Sequence, residues 1–201
     1  VAGAADRVRE AALDLFAERG FHGVGIRQLA ERAGLSSASL YHYMGTKTDL
    51  LAAIMRECLG RLVADAEAAA AEHADPTSRV EALVRAHVVS HAEQPRETRV
   101  VDGELAALTG EARAEVVALR DRYERVWQDA IDAGTAGGAF TVGSPAVARR
   151  ALLEMCSGVA RWYDATGPMP LAELADTYAA LARQLLGVPT APAGNGSDAP
   201  A

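Results

Sequence analysis

Cysteine, lysine and aromatic residues are all scarce in this chain, and each scarcity removes a class of protein. The two cysteines among 201 residues, Cys58 and Cys156, stand far apart. With no CxxC pair and no Cys/His ligand spacing, neither a zinc module nor a disulfide scaffold is expected, and a reducing cytoplasm fits. No apolar run approaches the roughly 18 to 20 residues that would span a bilayer, and Val1 to Arg9 lacks the apolar segment of a signal peptide. The reading is therefore a cytoplasmic protein with no membrane partner. Aromatics make up 5% of the chain and β-branched residues are sparse, which argues against a sheet-rich fold. Basic side chains number 20 against 27 acidic ones, a net charge of −7. Bulk attraction to nucleic acid is thereby excluded, and a polyanion would have to be met by a local patch.

What is abundant is Ala, Leu, Arg and Glu, with apolar positions recurring at three and four rather than two. The fold class is all-α: an N-terminal three-helix unit followed by a helical bundle, about nine helices in total. Val8, Ala11, Ala12, Leu15 and Phe16 form one face of a helix over 5–19, with Gly20 as its stop. Short helices over 26–33 and 37–43 flank Gly34. A long helix opens at Lys47, where Thr46 and Asp49 form a variant capping box, and continues to about His73. Asp75-Pro76 opens the next helix, to about His91, and Pro95 restarts the chain through Leu108. A helix after Gly110 ends at Gly134, and 134–143 reads as a loop. Ser144-Pro145 caps a helix that stops before Gly167-Pro168, and the last helix spans 170–186. The stretch 188–201, rich in Pro, Ala, Gly and Ser, lacks the apolar content to order itself.

Taking Ile26 as position one of a bihelical unit, small Ala30 falls fifth, where the second helix must cross closely, and Gly34 falls ninth, where the chain must reverse. Leu29, Ala33, Leu35, Leu40 and Tyr43 supply the packing between the two helices. Ser36, Ser37, Ala38, Ser39, Tyr41 and His42 remain outward, small and polar at the N-terminal end, so that end can enter a major groove. The unit is a helix-turn-helix. Val1 to Leu50 holds six basic and six acidic residues, so the whole of the −7 lies beyond it. A neutral head is suited to discrete phosphate contacts and helix N-termini rather than indiscriminate attraction.

The stretch Phe21 to Leu51, FHGVGIRQLAERAGLSSASLYHYMGTKTDLL, resembles the DNA-binding signature of the TetR family of transcriptional repressors. The resemblance implies a homodimer that binds a palindromic operator on double-stranded DNA and releases it when a small-molecule effector enters each C-terminal body. It divides the chain into a DNA-binding domain at 1–46, a ligand-binding and dimerisation domain at 47–187 and a tail. Carried over by position, Arg27 matches a base or phosphate contact, Ser37, Ala38 and Ser39 the base-reading stretch, and Tyr41, Tyr43 and Lys47 phosphate contacts. Gly25 departs from the pattern, because the family usually places a capping Thr or Ser there. Lys47 is the sole lysine, set in a first helical turn where the macrodipole disfavours a cation and a phosphate would reverse that penalty.

In the body, His87 and His91 lie four apart on an apolar face. A metal, the lining of a cavity, or satisfied histidines would each suit the pair, but without a third ligand in sequence no metal or cofactor is expected. Tyr123, Trp127, Met155, Val159 and Trp162 fit either a cavity or a core, and Arg99 and Arg122 are candidate partners for an anionic group. The stretch from Glu104 to Tyr178 resembles the sensor domains of lipid-catabolism and acyl-CoA-responsive family members, which implies a largely apolar or thioester-linked effector. A drug-like or aromatic effector, or a protein partner, remains an alternative. Leu171, Leu174, Tyr178, Leu181 and Leu185 form an apolar stripe that suits a dimer interface or an internal core face. No GxGxxG, GxSxG, Walker loop or HExxH occurs, so an enzyme is not expected.

Overall fold

A computed structural model describes residues 3–189, and it is all helical over them. The helices are α1 (Ala4–Arg19), α2 (Ile26–Ala33), α3 (Ser37–Met44), α4 (Lys47–Ala71), α5 (Pro76–Glu93), α6 (Pro95–Gly103), α7 (Gly110–Ala136), α8 (Pro145–Ser157), α9 (Val159–Trp162) and α10 (Leu171–Leu185). One 3-10 turn, Leu105–Ala107, follows α6. Helices α8 and α9 are separated only by Gly158, so the expected nine rods are ten segments with one short break.

The helix starts follow from capping chemistry. Thr46 Oγ1 accepts from the Asp49 backbone N–H at 3.0 Å, while Asp49 Oδ2 accepts from the Thr46 N–H at 2.9 Å. Asp75 accepts from Ser78 N–H at 2.8 Å ahead of Pro76, and Ser36 accepts from Ser39 N–H at 3.1 Å. Gly25 has no side chain to offer, but Gln28 Oε1 reaches back to its N–H at 2.8 Å, which supplies half of the box the serine or threonine would have completed. Gly34 sits at φ +67°, ψ +38°, the left-handed conformation the turn between α2 and α3 requires.

Phe16, Leu29 and Leu40 are buried where α1, α2 and α3 meet, and the Phe16 and Phe21 rings lie 5.4 Å apart. In the body, α5 runs through the middle, packed on α4, α7, α8 and α10. Helix α6 is wedged between the two parts, touching α1 on one side and α4, α5 and α9 on the other. Helix α6 stops at Gly103 and α9 at Trp162, short of the expected Leu108 and Gly167, and two further boundaries differ from the sequence reading. Helix α7 continues past Gly134 because that glycine lets the Phe140 ring lie against the helix, where a Cβ would stand 2.1 Å from Phe140 Cε2. Val188 belongs to the folded body: it packs on the core, and its N–H donates to Arg183 O at 3.0 Å. The remainder of the expected tail, from residue 190 on, lies outside the described residues.

Candidate nucleic-acid interface and effector cavity

Helix α3 is buried along one side by Leu40 and Met44 and free along the other. Ser37, Ala38 and Ser39 are exposed at its start, and Tyr41 and Tyr43 keep 52% and 45% of their surface. The Ser39 hydroxyl lies 2.9 Å from that of Ser36, so the cap and the outward serine form one hydrogen-bonded pair. Arg27 is exposed, with no ion pair among the described residues. Lys47, expected as a phosphate contact, is half-buried and holds its own chain. Its Nζ donates to the carbonyls of Phe21 and Val24, both at 2.8 Å, and lies 4.1 Å from the centre of the Phe21 ring. Burial lowers its pKa, against the opposing pull of the Glu104 carboxylate. One N–H direction remains for an anion.

A cavity of about 650 Å³ opens among α4, α5, α6, α7 and α8–α9. Its apolar wall is Leu59, Leu62, Val101, Leu105, Val117 and Leu153. Of the proposed ligand residues, His87, His91, Arg99 and Tyr123 line it. Trp127 and Val159 do not, being fully buried core, and Met155 packs against that core. Trp162 is on the surface, 55% exposed. Arg122 is also elsewhere, gripping Glu67 with two hydrogen bonds of 2.7 and 2.8 Å. Residues missed in the sequence are Arg149, Leu153, Ser157 and Arg161, along with Arg120 and Arg150. The first four recur at every fourth position, a helical period that marks one shared face, polar except at Leu153.

Inside the cavity His87 Nδ1 lies 2.7 Å from Tyr123 Oη, and His87 Nε2 lies 3.1 Å from Ser157 Oγ. Burial, with His91 beside it, holds the His87 pKa well below its ordinary value, so the imidazole is neutral. The His87 and His91 rings stack 3.8 Å apart, and His91 Nδ1 donates to the His87 carbonyl at 2.9 Å. No group of three metal-ligating side chains gathers among the described residues.

The α10 stripe divides. Leu174 is buried against the body and cannot serve an outward interface, whereas Leu181 and Leu185 are exposed and Leu171 and Tyr178 half-buried. Exposed Trp162 stands beside Tyr178.

Between cavity and head lies a charged seam. Glu97 on α6 accepts from Arg9 of α1 at 2.5 Å and from Arg61 of α4. Arg96, next along α6, bonds Asp14 and Glu10 of α1. Past the cavity-lining residues 101–103, the Glu104 carboxylate lies 3.2 Å from where a Cβ on Gly20 would sit, against the turn that Lys47 pins.

Residues 8–54 match the family described as "Bacterial regulatory proteins, tetR family", and residues 73–186 match "Tetracyclin repressor-like, C-terminal domain". The HTH-type transcriptional repressor KstR2 of Rhodococcus jostii (strain RHA1) is 27% identical over 169 residues, 83% of either chain. PfmR, a TetR family transcriptional regulator from Thermus thermophilus, is similar in structure at TM-score 0.78 and 33% identity, over 92% of this chain and 100% of that one. AibR, solved in complex with isovaleryl coenzyme A and operator DNA, shares the fold at TM-score 0.79 and 24% identity, over 89% of this chain and 97% of that one.

Proposed function

Because this chain belongs to the TetR family of bacterial regulatory proteins, we propose that it is a cytoplasmic, homodimeric repressor that an anionic, largely apolar effector of the acyl-CoA class releases from its operator. The family and its relatives are transcriptional regulators, not enzymes. The observation that carries the reading is the free side of α3, which presents Ser37, Ala38, Ser39, Tyr41 and Tyr43 at one end of the molecule, with Arg27 in no ion pair among the described residues. Serine hydroxyls and the Ala38 methyl suit base edges, and the tyrosines, Arg27 and the remaining Lys47 donor suit phosphates. In this reading residues 1–46 bind DNA and residues 47–187 bind effector and partner.

One such head spans few base pairs, so a second copy related by a two-fold axis doubles the sequence read. The exposed Leu181 and Leu185, flanked by Tyr178 and Trp162, support a subunit interface there. The acyl-CoA class is supported by the cavity's chemistry, which sets an apolar wall beside Arg99, Arg120, Arg150 and Arg161; the carboxylates of Asp102, Asp121, Glu124 and Glu154 share the lining, but none of these four arginines is in an ion pair among the described residues. Those guanidiniums suit phosphates, and the leucines and valines suit an acyl chain. Effector binding favours one spacing of the heads over another, through α4 and α6.

Selection of bound duplexes from a random pool, followed by footprinting, tests the reading. An inverted repeat protected on both half-sites is the expected result, with Ser39→Ala shifting sequence preference more than overall affinity. Recovery of no inverted repeat would refute it.

A further inference from the structure

Counting donors along the buried chain Tyr123–His87–Ser157 leaves one hydroxyl proton over. A neutral imidazole has one N–H and one lone pair. If Tyr123 Oη–H donates to Nδ1, then Nε2–H donates to Ser157 Oγ, and the serine O–H is free. If the chain runs the other way, the free proton is on Tyr123. The buried indole N–H of Trp127, which has no full hydrogen bond of its own, leans on the Tyr123 oxygen and so favours the tyrosine as donor to His87. The Ser157 hydroxyl has no hydrogen bond besides that to His87 among the described residues. Tyr123 is buried and Ser157 half-exposed on the cavity wall, so an occupant of the cavity that offers an acceptor selects the same direction. A second unmet donor stands on the same wall: Arg149 Nε is buried without a hydrogen-bond partner among the described residues, although its Nη2 holds Glu124 at 3.0 Å. Arg149 and Ser157 are eight residues apart on α8, about 12 Å along the axis, with Leu153 between them.

We propose that Ser157 is the specificity-determining residue of this cavity, donating its hydroxyl to the thioester carbonyl oxygen of an acyl-CoA effector. The assignment rests on the acyl-CoA reading given above. An acyl-CoA carries its phosphates at one end, a polar pantetheine arm next, and then the thioester carbonyl at the head of an apolar chain. The wall has matching parts in arginines, leucines and this hydroxyl. His87 and Tyr123 act as positioning residues that fix the serine's proton toward the ligand.

The test uses the full-length protein and two probes, octanoyl-CoA and S-octyl-CoA, the thioether in which a methylene replaces the carbonyl. Titration calorimetry of the unaltered protein is expected to give roughly three- to tenfold tighter binding of the thioester, the worth of one net hydrogen bond. Ser157→Ala, with its melting temperature checked, abolishes that preference by weakening only the thioester, and Ser157→Thr, which keeps a hydroxyl, retains it. If the unaltered protein binds both probes equally, or Ser157→Ala keeps the preference or weakens both alike, the assignment of Ser157 is wrong while the effector class stands. If neither probe binds, the effector class falls and takes this assignment with it.

Discussion

Lys47 Nζ sits 2.8 Å from the Phe21 carbonyl oxygen and 4.1 Å from the centre of the same residue's ring. The chain's one lysine therefore ties the start of α4 to the turn between α1 and α2.

Lys47→Met keeps much of the aliphatic stem and removes the donors. It leaves the Phe21 and Val24 carbonyls without their charged partner, at a cost of about 1–3 kcal/mol in urea unfolding. Binding to operator and random DNA falls alike, with a flatter salt dependence. A change confined to which operator is chosen would show that Lys47 reads bases.

Much of the head is legible in sequence because its determinants are local. Gly34, Ala30 and the Thr46/Asp49 cap each satisfy a rule that spans only a few residues. The cavity is not legible in the same way, because whether a residue faces the core, as Trp127 of α7 does, or the cavity, as Arg149 of α8 does, depends on which distant helix its face meets. The α10 stripe shows the same limit. Its leucines repeat at three and four, yet Ala175, Ala179 and Ala182 are what face inward beside Leu174, buried where α5 packs closely on α10. Alanines permit that close approach but weigh little in an apolar pattern.

That division separates two outcomes. Leu174→Ala removes buried methyl groups and lowers subunit stability by about 2–5 kcal/mol. Leu181→Glu leaves the subunit fold intact by circular dichroism and gives a monomer in sedimentation, with operator affinity reduced accordingly. Dimers persisting in a Leu181→Glu, Leu185→Glu double variant would place the interface elsewhere.

His87 gives stability a pH dependence whose sign follows from burial. Its folded pKa is depressed well below 6.5, so on acidification the unfolded chain takes up the proton first. Stability is retained above about pH 6.5 and falls as the pH drops below it, with a limiting slope of about 1.4 kcal/mol per pH unit for one proton. Urea unfolding from pH 8 to pH 5 measures the slope, and His87→Gln, which hydrogen-bonds without titrating, flattens it. An unchanged slope in that variant would assign the effect to other groups.

Glu97 joins three helices, with Arg9 of α1 and Arg61 of α4 converging on one half-buried carboxylate of α6. The next turn of α6 carries Val101, Asp102 and Gly103 on the cavity wall, so a shift of α6 on effector binding moves the anchor of α1 directly. Glu97→Gln keeps the shape and removes the charge that holds both arginines. Arg9 retains Glu57 at 3.1 Å, so the head remains folded, with a loss of about 1–2 kcal/mol. Octanoyl-CoA affinity stays within about twofold, while the acceleration of operator release by octanoyl-CoA falls by roughly five- to tenfold, within the usual range of a coupling free energy. Stopped-flow dissociation with and without octanoyl-CoA reads the coupling apart from the affinity. If release accelerates as much as in the unaltered protein, the signal passes along α4 without the α6 seam.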